Sequence, residues 1–394
     1  MSFAAASGRL KVVFLTTDNR WHHNDYANPK PHFGPAPEAT LAGLAARPDI
    51  ELHIVANTRR PVTAPEKLSE NIWFHSLHVP KLGWLRTGYQ GCIRATRRKI
   101  RAIQPDIVHG QGTECDNAIC AVFSGFPNVV TLHGNMADHA RSLKARPGSY
   151  AWFAARFENL ALRRTAGVLC NSSYTEAHVK PRTRRTWLVP NAMREKWFSE
   201  PRRTGKTTAC VLLHVGVVCE NKQQLEMLEA ARALHRNGLR FEIQFIGRIP
   251  PGSSYAQAFL EKVRQAQQEG FARHLGPQEI PELIRSFDQA SALVHTPIHE
   301  AFGLVVAEAL SRELKVFGFR VGGVPDILEG TDSVLVEAAD WQGLKNAIAD
   351  WVAAGHPEPR SSVKLIRERY HPECNARRHV EIYREVISKV SSCA

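Results

Sequence analysis

The sequence predicts an α/β fold of two doubly wound, Rossmann-like domains facing each other across a cleft. Three observations point to it. At roughly 100–200 residues per domain, 394 residues are most simply two domains. Short β-rich runs alternate with longer helical patterns along the chain, and the alternation begins afresh after residue 205. Runs such as KVVFLTT from Lys11 and VLLHVGVV from Val211 are almost continuously apolar, which suits strands covered on both faces and joined by long crossovers.

In chain order, the runs Arg9–Leu15, Ile50–Ala56, Asn71–Leu77, Asp106–His109, Val129–His133, Val168–Asn171 and Thr186–Val189 are short and β-rich and predict strands. Between them the longer patterns near 38–46, 88–103, 115–124, 150–165 and 173–180 predict helices. Pro190–Thr208 is polar, proline-marked and without strong pattern, so it predicts a link. After it come strands at Cys210–Gly216, Phe241–Gly247, Arg273–Leu275, Ala292–His295, Lys315–Phe319 and Ser333–Val336, with helices near 222–236, 255–268, 279–287, 303–312 and 341–353. The tail His371–Val390 predicts a last helix returning to the first domain. The expected division is 1–190, a linker at 191–208, a second domain at 209–372, and the C-terminal helix at 373–394.

Composition narrows the classes. Apolar residues are 43% and charged residues 23%, as in globular proteins, and 26 Gly and 23 Pro show no period that would suggest collagen or low complexity. The formal charge of +13 is concentrated: the first 200 residues hold 27 basic and 15 acidic side chains, the remainder 24 and 23. That asymmetry points to an anionic partner for the first half. Eight cysteines lie scattered, mostly in apolar runs and without zinc-ligand spacing, which predicts reduced thiols in a cytoplasmic protein. The apolar stretches fall far short of the ~20 residues a membrane span needs.

Open α/β sheets take ligands outside the carboxyl ends of their strands, so the loops there are where chemistry is expected. The most informative is HTPIHEAFGLVVAEALSRELKVFGFRVGGVPDILEG from His295. Glu300 leaves a strand and enters a glycine turn; Glu308 stands two helical turns on. The start of that helix offers unpaired N–H groups and partial positive charge for a phosphate, at the amides of Phe302, Gly303 and Leu304. The two carboxylates beside it are acceptors for sugar hydroxyls.

Glu300 and Glu308 with Phe302-Gly303 between them and Gly322-Gly323-Val324-Pro325 after them resemble the E-x7-E motif of family 4 retaining glycosyltransferases of the GT-B fold. The resemblance extends to Val189-Pro190-Asn191, to His214–Lys222 opening the second domain, and to Phe245-Ile246-Gly247. It implies that Glu300 contacts the donor sugar, Glu308 the ribose, and Lys222, six residues after Gly216, the donor diphosphate. It implies that His133 in TLHGN lies near the reacting centre, and that Gly247, Gly322 and Gly323 let the backbone approach the ligand. The substrate is then a nucleotide-diphosphate sugar and an acceptor hydroxyl, with no cofactor and no metal.

Two departures stand out. Val217 occupies the place of the family's usual arginine, so either a nearby cation such as Arg248 or Arg320 replaces it or the leaving group is less stabilised. FGPAPE at 33–38 stands where a Gly-Gly pair is common, with Gly34 its best match on the acceptor side and His109, near a strand end, beside it. His22, His23, His32 and His109 are too irregularly spaced for a metal site. The run RATRRKIR at 94–101 is a basic amphipathic helix, a solvated face or a contact with an anionic membrane surface, and Lys180–Arg185 is surface charge. No nucleic-acid-binding motif accompanies the charge. A nucleotide-sugar epimerase, or a catalytically weakened nucleotide-sugar-binding protein on the same scaffold, is the alternative.

Overall fold

The computed structural model describes residues 8–21, 25–202 and 209–392. His22, His23 and residues 203–208 of the link lie outside the described residues. The chain divides into two compact units, one of residues 1–194 with 371–394, the other Glu195–Tyr370.

The first unit is built on an eight-stranded sheet of β1 (Leu10–Leu15), β2 (Ile50–Thr58), β3 (Lys67–Ser69), β4 (Ile72–His78), β5 (Ile107–Gln111), β6 (Asn128–Leu132), β7 (Val168–Cys170) and β8 (Thr186–Leu188). Its order is β3-β4-β2-β1-β5-β6-β7-β8. All pairs are parallel except the edge pair β3–β4. From β1 the chain winds outward to β2, then later from β5 the other way, so β1 and β5 flank the switch point. The helix Pro372–Ser392 belongs to this unit: Val380, Tyr383 and Val386 join the sheet's apolar core, and Asn375 bonds Thr40 and the Pro190 carbonyl.

The second unit carries six parallel strands, β9 (Val211–Val215), β10 (Glu242–Ile246), β11 (Ala272–Gly276), β12 (Ala292–His295), β13 (Lys315–Phe319) and β14 (Val334–Val336), in the order β11-β10-β9-β12-β13-β14. Here the switch point lies between β9 and β12. Strand interiors such as Leu212, Leu293 and Val316 are wholly buried, as expected of a sheet covered on both faces.

Elements absent from the sequence reading are those whose cause is distant. The edge strand β3 has three residues and no period. The helix Met136–Ser142 begins where the Asn135 side chain accepts from Asp138 N and the buried Glu158 carboxylate accepts from Met136 N and Ala137 N. The link contains a helical turn, Lys196–Ser199, fixed by Trp197, which is 1% exposed and edge-on to Phe287. The first helix starts at Pro35, earlier than 38, because Gly34 caps it and proline needs no donor in a first turn.

Two buried ion pairs fix loops. Asp18 and Arg20, each 1% exposed, form a bidentate pair, and Arg20 also donates to the Asn28 and Thr63 carbonyls, stiffening the β1 exit. Arg312 holds Asp288 and donates to the Glu200 and Pro201 carbonyls. Such pairs tolerate loss of one partner poorly, because the other charge stays buried.

Candidate active site

In the second unit the exits of the four strands around the switch point converge. Gly216 N donates to the Ile246 carbonyl and Val218 N to the Arg248 carbonyl, joining the β9 and β10 loops. A Cβ on Gly247 would stand 1.9 Å from the Gly216 carbonyl oxygen, so only glycine permits that approach. The β9 and β12 loops are sewn by Asn221, whose side chain donates to the His299 carbonyl and accepts from His299 N at 3.0 Å each. Gln223 adds a bond to the Thr296 carbonyl. The β13 loop closes on the same point: Gly323 N donates to the Glu300 carbonyl, and a Cβ on Gly322, at φ +52°, would stand 1.5 Å from that oxygen.

This frame brings Lys222 and Glu300 together. Lys222 Nζ donates to Glu300 Oε2 at 2.6 Å, and its stem runs over Gly216. His295 Nε2 lies 3.3 Å from the same oxygen. Burial pushes the Glu300 carboxyl up, yet His295 and Lys222 outweigh it and hold the group well below the usual carboxylate range. Burial, helped by the His295 and Lys222 charges, lowers His214 to about 3, so that ring is neutral. The corner is a fixed carboxylate and ammonium, both partly open to solvent, with side-chain exposures of 17% and 23%.

Gly303, in the left-handed region at φ +97°, turns the chain into the helix Leu304–Ser311 directly after this corner. The first N–H groups of that helix have no intrahelical acceptor. Glu308 is half-buried within it; Phe302 is buried edge-on to Tyr370, so its ring is core and only its backbone is placed for a ligand. Of the two candidate replacement cations, Arg320 is drawn to Glu337, whereas Arg248 is exposed on the loop tied to Val218. The sequence alone does not single out His214 and Asn221, whose partners Thr296 and His299 lie about eighty residues away, nor His295, which stands five residues before Glu300.

In the first unit His133 is the first residue beyond β6, half-buried, and its Nε2 lies 2.9 Å from the Gln111 amide. Burial lowers it to about 4. Gly34 caps the first helix beside Asn19. His109 corrects the sequence reading. β5 runs on to Gln111, so His109 is mid-strand, 0% exposed and bonded to Tyr383 and Thr131. It is a core residue with no surface for an acceptor. Trp84 and Tyr89, before the basic helix, are also buried, at 9% and 4%. Among the described residues no group of three or more His, Cys, Asp or Glu side chains could hold a metal ion, and no helix is long and apolar enough to cross a membrane.

Two family models match: Glycosyltransferase Family 4 over residues 39–194 and Glycosyl transferases group 1 over 195–368. One component of the human phosphatidylinositol N-acetylglucosaminyltransferase is 28% identical over 139 residues, which are 34% of this chain and 29% of that protein. Sucrose-phosphate synthase from Thermosynechococcus elongatus superposes with a TM-score of 0.73 at 17% identity, covering 97% of this chain and 100% of the other. Anabaena HepE, solved in complex with UDP and glucose, gives 0.66 at 14% identity, over 95% and 99%. Between them the two family models match residues 39–368, and the solved structures share the GT-B fold from end to end: the chain belongs to the glycosyltransferases.

Proposed function

We propose that this chain moves a hexose-type sugar from a nucleotide-diphosphate donor to an acceptor hydroxyl with retention of anomeric configuration and without a metal. The observation that carries the reading is the Lys222–Glu300 corner at the β9/β12 switch point, beside an open helix start. The UDP and glucose named for the HepE structure agree with it. Lys222 and the amides of Gly303 and Leu304 take the diphosphate, with Arg248 as second cation in place of the arginine that Val217 replaces. Glu300 accepts from sugar hydroxyls, Glu308 from the ribose, and Gly216, Gly247, Gly322 and Gly323 give the ligand access to backbone. The acceptor binds the first unit, at the β1 and β5 exits near Gly34 and His133.

In the transfer step the anomeric C–O bond to the diphosphate breaks and the acceptor oxygen bonds the same face. The hydroxyl proton passes to the departing phosphate oxygen, so no protein base is consumed. Incubation with a panel of nucleotide sugars and hydroxyl acceptors tests the reading. Acceptor-dependent release of nucleoside diphosphate, with the product's anomeric configuration matching the donor's by NMR, is expected. Acceptor-independent conversion of the sugar would mean an epimerase, and donor binding without turnover a binding protein.

The setting we infer is the cytoplasm, at an anionic membrane face. Cys92, Thr96 and Ile100 turn the helix Gln90–Ile103 inward and leave Arg94, Arg97, Arg98 and Arg101 exposed, with Leu82 76% exposed just before it. A bilayer with acidic headgroups fits that face. Vesicles containing phosphatidylglycerol should pellet the protein and release it at high salt. Replacing the four arginines with Gln should abolish pelleting, and equal pelleting by neutral phosphatidylcholine would contradict the assignment.

A further inference from the structure

A chain of buried polar groups runs from the final helix to His133. Tyr383 Oη lies 2.6 Å from His109 Nδ1, and His109 Nε2 lies 2.7 Å from Thr131 Oγ1. Gln111 Nε2 is 2.9 Å from His109 Nε2 and 3.4 Å from Thr131 Oγ1, and Gln111 Oε1 is 2.9 Å from His133 Nε2, two ends of an amide that only their hydrogen-bond partners tell apart. Tyr383 and His109 are wholly buried, and Gln111 and Thr131 are 5% exposed. Every proton in the chain must therefore find an acceptor within it.

That condition selects one arrangement. The Tyr383 hydroxyl meets no other acceptor among the described residues, so it donates to His109 Nδ1. The His109 proton is then on Nε2 and goes to Thr131 Oγ1. An amide NH2 facing His109 Nε2–H sets donor against donor at 2.9 Å, so the amide is turned end for end: its oxygen faces His109 and accepts from the Thr131 hydroxyl, and its NH2 takes the place of Oε1. The Gln111 NH2 then faces His133 and donates to Nε2, leaving the His133 proton on Nδ1. The reverse arrangement, with the His109 proton on Nδ1, strands the Tyr383 proton. Burial keeps both rings neutral, His109 well below its ordinary value and His133 at about 4.

We infer that Tyr383, His109, Thr131 and Gln111 are positioning residues that fix the tautomer of His133, which meets substrate as a neutral donor through Nδ1–H and never as a base. The inference rests on the proposed role of His133 in sugar transfer, but its test does not. Long-range 1H–15N correlation on the full chain, with the His133 signals identified by their loss in His133→Asn, should give the Nδ1–H pattern for His133. Gln111→Glu presents only acceptors to Nε2 and should convert that pattern to Nε2–H or to the imidazolium. An Nε2–H pattern in the unaltered protein, or no change in Gln111→Glu, overturns the inference; if that variant does not fold, the unaltered protein still decides. Absence of sugar transfer with the Nδ1–H pattern intact would count against the proposed function and leave the tautomer assignment standing.

Discussion

Replacing Lys222 with Ala should lower kcat by about a hundredfold or more, the scale seen when one stabiliser of developing charge is lost. The effect belongs in kcat because the departing diphosphate gains charge as the sugar leaves, so the ammonium contributes more in the transition state than on binding. The variant also strands Glu300, whose carboxylate stays ionised in a site that Lys222 and His295 tune together. Glu300→Gln should cost as much by a different route, through the sugar hydroxyls. The loop bonds made by Asn221 and Gly323 do not pass through either side chain, so both variants should fold, with a lowered melting temperature in Lys222→Ala because Glu300 keeps its charge without its partner. Steady-state kinetics beside a melting curve checks this, and full activity in both variants would contradict it.

The second large effect concerns acid. In the first unit His53, His75, His109, His133 and His379 all have lowered pKa values, with burial the leading cause; His75, His133 and His379 sit at about 4. Below pH 6.5 the unfolded chain takes up protons that these folded rings refuse, so stability falls as pH drops from there towards 4. Glu114 and Asp116 act in the opposite sense, because burial raises them and the folded state holds their protons longer. Five groups against two leave a net of about three protons, at most about 4 kcal/mol per pH unit. The melting transition of this unit should drop by about 10 °C or more between pH 7 and pH 5. A melting temperature flat across that range would show that these rings titrate normally.

The parts that could be read in the sequence are the parts that local chemistry decides. The near-continuous apolar runs of β1, β9 and β13 announce buried strands, and Glu300, Glu308 and Lys222 stand at fixed spacings around glycines that only tight turns require. What stayed hidden depends on partners far along the chain. Whether β5 stops at His109 or runs to Gln111 is settled by its pairing with β6, and two residues of difference move a histidine from a strand end to a buried mid-strand position. The helix Met136–Ser142 needs Glu158, and the β12 loop needs Asn221. Tyr383 reaches His109 across 274 positions. No period or motif encodes such contacts.

The Lys222–Glu300 corner, which we propose as the seat of a diphosphate sugar, is bridged by its own ion pair. A crystal structure of the full chain with UDP-glucose tests that assignment most directly. The donor's phosphates should lie within hydrogen-bonding distance of Lys222 Nζ and of the amides at Gly303–Leu304, with Glu300 turned to the sugar. A donor bound elsewhere, with the 2.6 Å pair between Lys222 and Glu300 undisturbed, would contradict it.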